Sequence, residues 1–313
     1  MAGTDNSGEL RRGPIERWAA SAISNPERTY RAMFYVVMVF FLVTTLFPFY
    51  WLLMLALSER TYGVGLVPNG FQPSVFIEVF QQAPFQVYMF NSFVLATATT
   101  IIVLLLASLA GYVFGRLEFP GKYPLMLLIL AISYFPPAAF FLPLWDLFNG
   151  KVIPGLVLYN NAGSMVMPFS ALFMPLSIFI LTTFYGQIPD GLEDAARIEG
   201  TTRLGALFRV IIPLSAPGVA TAGVLTFIAV YNEFFFSFLM NDGSVSQSIA
   251  GVLSSNNHWA PIVKGILGYQ SQFQTPFDVM AAASIIGVLP VAILVVIAQE
   301  KIVSGLTAGA LKE

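Results

Sequence analysis

Six stretches of this chain, at about 32–57, 91–115, 123–147, 166–187, 217–240 and 278–299, are each long and apolar enough to cross a bilayer. A hydrocarbon core of about 30 Å takes roughly 20 apolar residues wound as a helix. Lipid offers no partner to a bare peptide group, and the runs are too long for barrel strands, so each must be helical. The expected fold class is therefore all-α, a polytopic membrane protein with six transmembrane helices. Composition agrees: 313 residues that are 57% hydrophobic and only 10% charged hold more apolar surface than one soluble core hides, so membrane lipid must cover much of it.

The division that follows is a leader at 1–31, a membrane domain at 32–299 and a tail at 300–313. The first apolar run begins near Ala32 after a polar leader and is too long for the core of a secretory signal. A formal charge of -2 with no basic stripe argues against nucleic acid as a partner. With no cysteine, disulfides, thiolate metal sites and thiol nucleophiles are excluded.

Orientation follows from the basic residues. With the N-terminus in the cytoplasm, Arg11, Arg12, Arg17, Arg28, Arg31, Arg116, Lys122, Arg197, Arg203, Arg209, Lys301 and Lys312 lie inside, twelve of fifteen. Only Arg60, Lys151 and Lys264 lie outside, so the positive-inside rule predicts both termini in the cytoplasm. Residues 58–90 then form an irregular external segment with at most a short helix near Val75 to Gln81. Residues 241–277 form a second external loop, rich in uncharged polar side chains that include Asn256, Asn257, His258, Trp259 and Gln270. Residues 188–215 are cytoplasmic.

That cytoplasmic loop carries the strongest local signals. Asp190 with Glu193 three residues on has the form of an N-cap and capping box, and Gly200 suits the left-handed residue that closes a helix. The helix between them contains Asp194, Ala195, Ala196, Arg197 and Glu199. A second helix, capped by Thr202, presents Leu204, Leu207, Phe208 and Ile211 and is expected to end before Pro213. The paired alanines permit close approach of another surface. Such a pair of helices can rest on lipid, but the first is acidic where a lipid-surface helix is normally basic, which favours docking on a protein.

Charges inside the spans are few. Glu233, beside Asn232 in the fifth span, either lines an aqueous pathway or serves helix packing, and both readings stay open. Asp146 sits near the outer interface, where solvation accounts for it. His258 is the only histidine and has no neighbouring ligands in sequence, so a metal site is not expected. No phosphate-binding loop exists, since Gly121-Lys122 is followed by Tyr123 and lacks the upstream glycine. With no catalytic constellation either, the chain reads as a transport component and not an enzyme.

The stretch Leu192-Glu193-Asp194-Ala195-Ala196-Arg197-Ile198-Glu199-Gly200, followed by Ile212-Pro213-Leu214 and Ala216-Pro217, resembles the EAA loop of ATP-binding-cassette (ABC) importer permeases. Asn91-Ser92, Gly111-Tyr112 with Arg116, Phe119-Pro120-Gly121-Lys122, Phe135-Pro136, Pro143-Leu144, Asn232-Glu233 and Ser304-Gly305-Leu306-Thr307-Ala308-Gly309 extend the resemblance to the MalG type of carbohydrate permease. Three positions depart from that pattern: Asp194, Glu199 and Thr201 stand where Glu, Asp and Ala are usual.

The resemblance implies a type I importer permease fold forming half of a translocation pathway for a sugar, with an oligosaccharide or disaccharide as the expected cargo. It implies a sister MalF-like permease, two ABC ATPase subunits holding ATP and Mg, and an extracellular or lipid-anchored solute-binding protein. No cofactor is expected on this chain. Glu193 to Gly200 would couple to the ATPase, Asn232 and Glu233 are candidates for lining the pathway, and Asn256, Asn257, His258, Trp259 and Gln270 are candidates for meeting the binding protein. A permease for a non-sugar solute and a secondary transporter are the alternatives, although no internal symmetry or coupling-ion set marks the latter.

Overall fold

In the computed structural model, residue 13 and residues 26–59, 66–67, 70–254, 258–270 and 276–308 are described, and every regular element among them is helical. The chain opens with α1 (Pro26–Leu57), then α2 (Val75–Gln82), α3 (Phe85–Arg116), α4 (Lys122–Ser133), a 3-10 turn (Pro137–Phe140) and α5 (Phe141–Phe148). It continues through α6 (Gly163–Tyr185), α7 (Asp190–Ile198), α8 (Arg203–Ala206), a π turn (Leu207–Ile211), α9 (Ile212–Leu214), α10 (Ala216–Tyr231) and α11 (Phe235–Leu239). The short helices α12 (Ile249–Ser254) and α13 (Ile262–Leu267) precede the final span, α14 (Phe277–Ala308).

Five of the six expected spans lie on long apolar helical segments. The third differs. Instead of one helix over 123–147, α4 and α5 meet at an 84° bend. The cause is the Pro136-Pro137 pair, which removes two successive backbone donors and pushes the preceding residue out of the helical region. Pro136 itself is extended, with ψ 124°. The fifth span is also interrupted, between Tyr231 and Phe235.

The core of the bundle is α3 packed along α6, with α10 laid against both and α14 against α10. In a bilayer the lipid tails are as apolar as leucine, so close packing of small residues holds helices together more than hydrophobic burial does. Gly111 and Gly115 provide that packing. A Cβ on Gly111 would lie 2.9 Å from the Leu181 Cβ, and one on Gly115 would lie 2.9 Å from the Thr182 carbonyl oxygen. Buried polar pairs add about 0.6 kcal/mol each on average. They join Ser177 to Thr226 at 2.9 Å, Tyr185 to Ser108 at 3.1 Å and Tyr231 to the Gly287 carbonyl at 3.0 Å. Helix α1 lies against α14 and exposes nearly its whole length, with only Ala56 buried.

The described residues of the 241–277 loop are more ordered than their polar composition foretells. Val245 and Trp259 form an isolated antiparallel bridge, and α12 and α13 flank it. Asn160, at φ 67°, bonds Ser244 through its side chain at 3.1 Å and tethers the loop to the entry of α6.

Candidate functional site: the helix Asp190–Ile198 and its anchor

The expected capping box does not form. Asp190 is the first helical residue of α7, Pro189 occupies the cap position, and no side chain caps the helix there. Both carboxylates turn to a stronger partner: Arg116, at the C-terminal end of α3, points its guanidinium under α7 with its side chain only 4% exposed. Its Nε donates to Glu193 Oε2 at 3.0 Å, Nη2 pairs with Asp190 Oδ1 at 3.0 Å, and Nη1 donates to the Ile188 carbonyl at 2.5 Å. The Tyr112 hydroxyl, one turn back on α3, donates to Glu193 Oε1. Here both partners carry charge and the guanidinium bonds two carboxylates and a carbonyl at once, where a backbone amide at a cap would supply only a neutral donor.

Burial pushes the Glu193 carboxyl up. The hydrogen bonds from Tyr112 and Arg116, with the charges of Arg116 and Arg197, outweigh it and leave the group below the ordinary carboxylate range.

The far end of α7 closes as expected. Gly200 takes φ +90°, its amide donates to the Arg197 carbonyl at 3.1 Å, and the Thr201 amide donates to the Ala196 carbonyl at 3.0 Å. That pair of bonds is a Schellman closure, which needs the left-handed residue that glycine supplies without strain. The Thr201 hydroxyl also donates to the Ala196 carbonyl. Thr202 then caps the next helix, accepting from the Gly205 amide at 3.1 Å. The second helix does not stop before Pro213. Lacking an amide hydrogen, Pro213 is carried past by a π turn, in which the Ile212 amide reaches back to the Leu207 carbonyl.

With Glu193 turned inward, the opposite face of α7 is left open. Ala195 is exposed, Leu192 is 46% exposed and Ile198 is 88% exposed, with Asp194, Arg197 and Glu199 around them. Leu204 and Phe208 extend the exposed apolar surface, while Leu207 and Ile211 are buried in one cluster with Val103 and Ala107 of α3 and Leu181 of α6. The helix is thus rigidly seated on one side and apolar at its exposed centre on the other. A helix meant only for solvent has no use for Ile198.

The remaining candidates lie elsewhere. Glu233 is buried, and its carboxylate accepts from the amides of Phe235 at 2.9 Å, Phe236 at 3.1 Å and Ser237 at 3.0 Å, forming the N-terminal anchor of α11. Asn232 is exposed and bonds the Ile228 carbonyl at 2.9 Å. His258 and Trp259 are half-buried, and Gln270 is exposed at the end of the turn after α13. Asn256 and Asn257 lie outside the described residues. Among the described residues no three His, Cys, Asp or Glu side chains come together as a metal site would require.

Sequence reasoning did not pair Arg116 or Tyr112 with Glu193, because a basic residue at a span end reads first as a topology marker. The Gly111-x3-Gly115 spacing was legible as a helix-packing signal and was not used.

Residues 104–307 match the family described as binding-protein-dependent transport system inner membrane component, and the chain belongs to that family. It is a multi-pass cell-membrane protein with the fold of ABC importer permeases. Among its relatives, it is 36% identical to the sulfoquinovosyl glycerol transport system permease protein SmoH of Agrobacterium fabrum, over 87% of this chain and 90% of that one. It is 31% identical to the trehalose/maltose transport system permease protein MalG of Thermococcus litoralis, over 86% of this chain and 92% of that one. A chain from the crystal structure of a bacterial ABC transporter involved in the import of the acidic polysaccharide alginate shares the fold. Its TM-score is 0.64, at 20% identity over 88% of this chain and 97% of that one.

Proposed function

We propose that this chain is one of two permease subunits of an ATP-driven importer for a sugar or glycoside, with both termini in the cytoplasm and α7 docked on an ABC ATPase. The observation that carries the reading is the exposed apolar centre of α7, formed by Leu192, Ala195 and Ile198 and held rigid from behind by Arg116. The names of the relatives, SmoH and MalG among them, support a carbohydrate cargo of disaccharide or glycoside size.

In this reading a sister MalF-like permease completes the pathway, two ATPase subunits hold ATP and Mg, and an external solute-binding protein delivers the cargo. ATP draws the ATPases together, the docked α7 moves with them, and the bundle alternates between facing inward and outward. The chain itself makes and breaks no covalent bond. The loop 241–277, with His258, Trp259, Gln270 and the flanking Asn256 and Asn257, is the surface we assign to the binding protein. Asn232, exposed at the break in the fifth span, is the side chain we assign to the pathway, while Glu233 builds that break.

The test is purification with native partners, followed by ATP hydrolysis measured across a panel of mono- and disaccharides with the binding protein present. Stimulation by one sugar class supports the proposal. An assembly without an ATPase, or hydrolysis indifferent to every sugar, would refute the importer or the carbohydrate reading respectively.

A further inference from the structure

Helix α3 differs from every other span among the described residues in having neither a break nor an internal proline. Pro48 lies within α1, Pro168 and Pro175 lie within α6, and Pro290 lies within α14. The α4 and α5 pair is bent by 84°, and the fifth span stops at Tyr231 before resuming at Phe235. By contrast α3 runs 32 residues from Phe85 to Arg116 with no proline. At about 1.5 Å per residue, Asn91 and Arg116 stand roughly 38 Å apart along its axis.

Both ends of this rod are held by buried polar contacts to segments distant in sequence. At one end Arg116 and Tyr112 grip Glu193 of α7. At the other, the fully buried Asn91 side chain donates to the carbonyls of His258 at 3.1 Å and Ala260 at 3.0 Å. The Ser92 hydroxyl accepts from the Ile262 amide at 2.7 Å, and the Tyr88 hydroxyl donates to the Gly243 carbonyl at 3.0 Å. Gly265 lies so close to Tyr88 that a Cβ there would sit 2.6 Å from the ring. Asn91, Arg116 and Glu193 are buried in the protein, where losing a partner leaves a polar group without water to replace it, so neither clamp slips cheaply.

We propose that α3 is a rigid strut, with Arg116 and Asn91 as its positioning residues, that carries movement of α7 to the loop 241–269 on the opposite membrane face. The proposal rests on reading α7 as the docking helix. A helix with a proline or a break absorbs displacement at its hinge, whereas an unbroken one clamped at both ends passes tilt or axial shift along. The chain also leaves α7 through α8, the π turn and α10, but that route is interrupted at Asn232 before it reaches the loop. Helix α6 also joins the two regions, with its outer end tied to the loop through Ser164 and Met240, but it carries Pro168 and Pro175, whereas α3 joins them with neither a proline nor a break. ATP closure would then reset the loop that meets the binding protein, placing cargo release in step with the ATPase.

The test uses the complete complex in lipid, with ATPase subunits and binding protein. Arg116→Gln and Asn91→Leu should each lower binding-protein-stimulated ATP hydrolysis about tenfold. The double variant should lose about the same tenfold and not a hundredfold, because a strut cut twice is no looser than one cut once. Ser92→Ala, a smaller change at the same clamp, should follow Asn91→Leu in direction if the latter fails to assemble.

A readout that mere stability would not move is thiol reactivity at Gln247→Cys, an exposed loop position in a chain with no other cysteine. Its reactivity should change with nucleotide in the parent, lose that dependence in Arg116→Gln, and regain part of it in Arg116→Lys. Multiplying effects in the double variant would overturn the strut, as would persistent nucleotide dependence at 247 in Arg116→Gln with the ATPase bound. If Arg116→Gln sheds the ATPase, the arginine serves docking and the strut is wrong. A parent complex that never retains an ATPase would overturn the docking reading as well.

Discussion

The Arg116 Nε donates to Glu193 Oε2 at 3.0 Å across 77 positions of sequence, joining the end of α3 to the middle of α7. Two side chains that in sequence read as a topology marker and half of a capping box together form the seat of α7. Tyr112 and the Ile188 carbonyl complete it, so the outer face of α7 is presented at a fixed angle to the bundle.

This seat makes α7 sensitive to acid. Because the folded Glu193 carboxyl titrates below its ordinary range, its contribution is fully present above the unfolded pKa and is lost as pH falls through the lowered folded value. Glu193→Gln should cost about 1–3 kcal/mol of local stability at neutral pH and remove that acid dependence. Hydrogen exchange of the α7 amides, followed from neutral pH downward, checks both; equal protection in parent and variant would show that the contact holds nothing.

Gly111 and Gly115 should tolerate no side chain. Gly111→Val drives atoms into the Leu181 backbone region and Gly115→Ala into the Thr182 carbonyl, so each should destabilise the bundle by about 1–3 kcal/mol. Gly191→Ala is the contrast: it meets nothing within 4 Å, lies in a helix, and should stabilise α7 by up to about 1 kcal/mol. Thermal unfolding in detergent ranks the three, and an unshifted midpoint for Gly111→Val would contradict the packing.

Glu233→Ala should unwind α11, since three amides lose one carboxylate at a cost of at least about 1–2 kcal/mol. Faster hydrogen exchange at Phe235 to Ser237 is the expected signal. Cysteine in place of Asn232, exposed at the same break, should react with a water-soluble thiol reagent in at least one nucleotide state. Protection of that cysteine in every state would remove Asn232 from the pathway.

Bulk on the open face of α7 should act only on assembly. Ala195→Trp enlarges an exposed position, so the isolated chain should keep its melting temperature while ATPase binding weakens by about 1–3 kcal/mol through overpacking of the docked interface. Gly200→Val should instead disturb the free chain too, because φ +90° strains a β-branched residue even where the surrounding space is empty. Measuring ATPase affinity and thermal stability side by side separates the two, and normal ATPase binding by the Ala195→Trp variant would place the docking surface elsewhere.

Much of this protein was legible one segment at a time. The apolar run lengths determined five spans outright, because backbone desolvation leaves a helix as the only open structure that crosses lipid. Gly200 closing α7 and Thr202 capping α8 were also readable, since both are local matters of φ and of a hydroxyl within reach of an amide. Where a local signal met a distant competitor, tertiary structure decided. Asp190 and Glu193 were drawn off their cap by Arg116, and Asn91 was bound to the carbonyls of His258 and Ala260, whereas Glu233 met amides only two to four residues on. The reason is common to Glu193 and Asn91: a buried charge or amide takes whichever strong partner the packed bundle brings near, and sequence spacing does not reveal which element that will be.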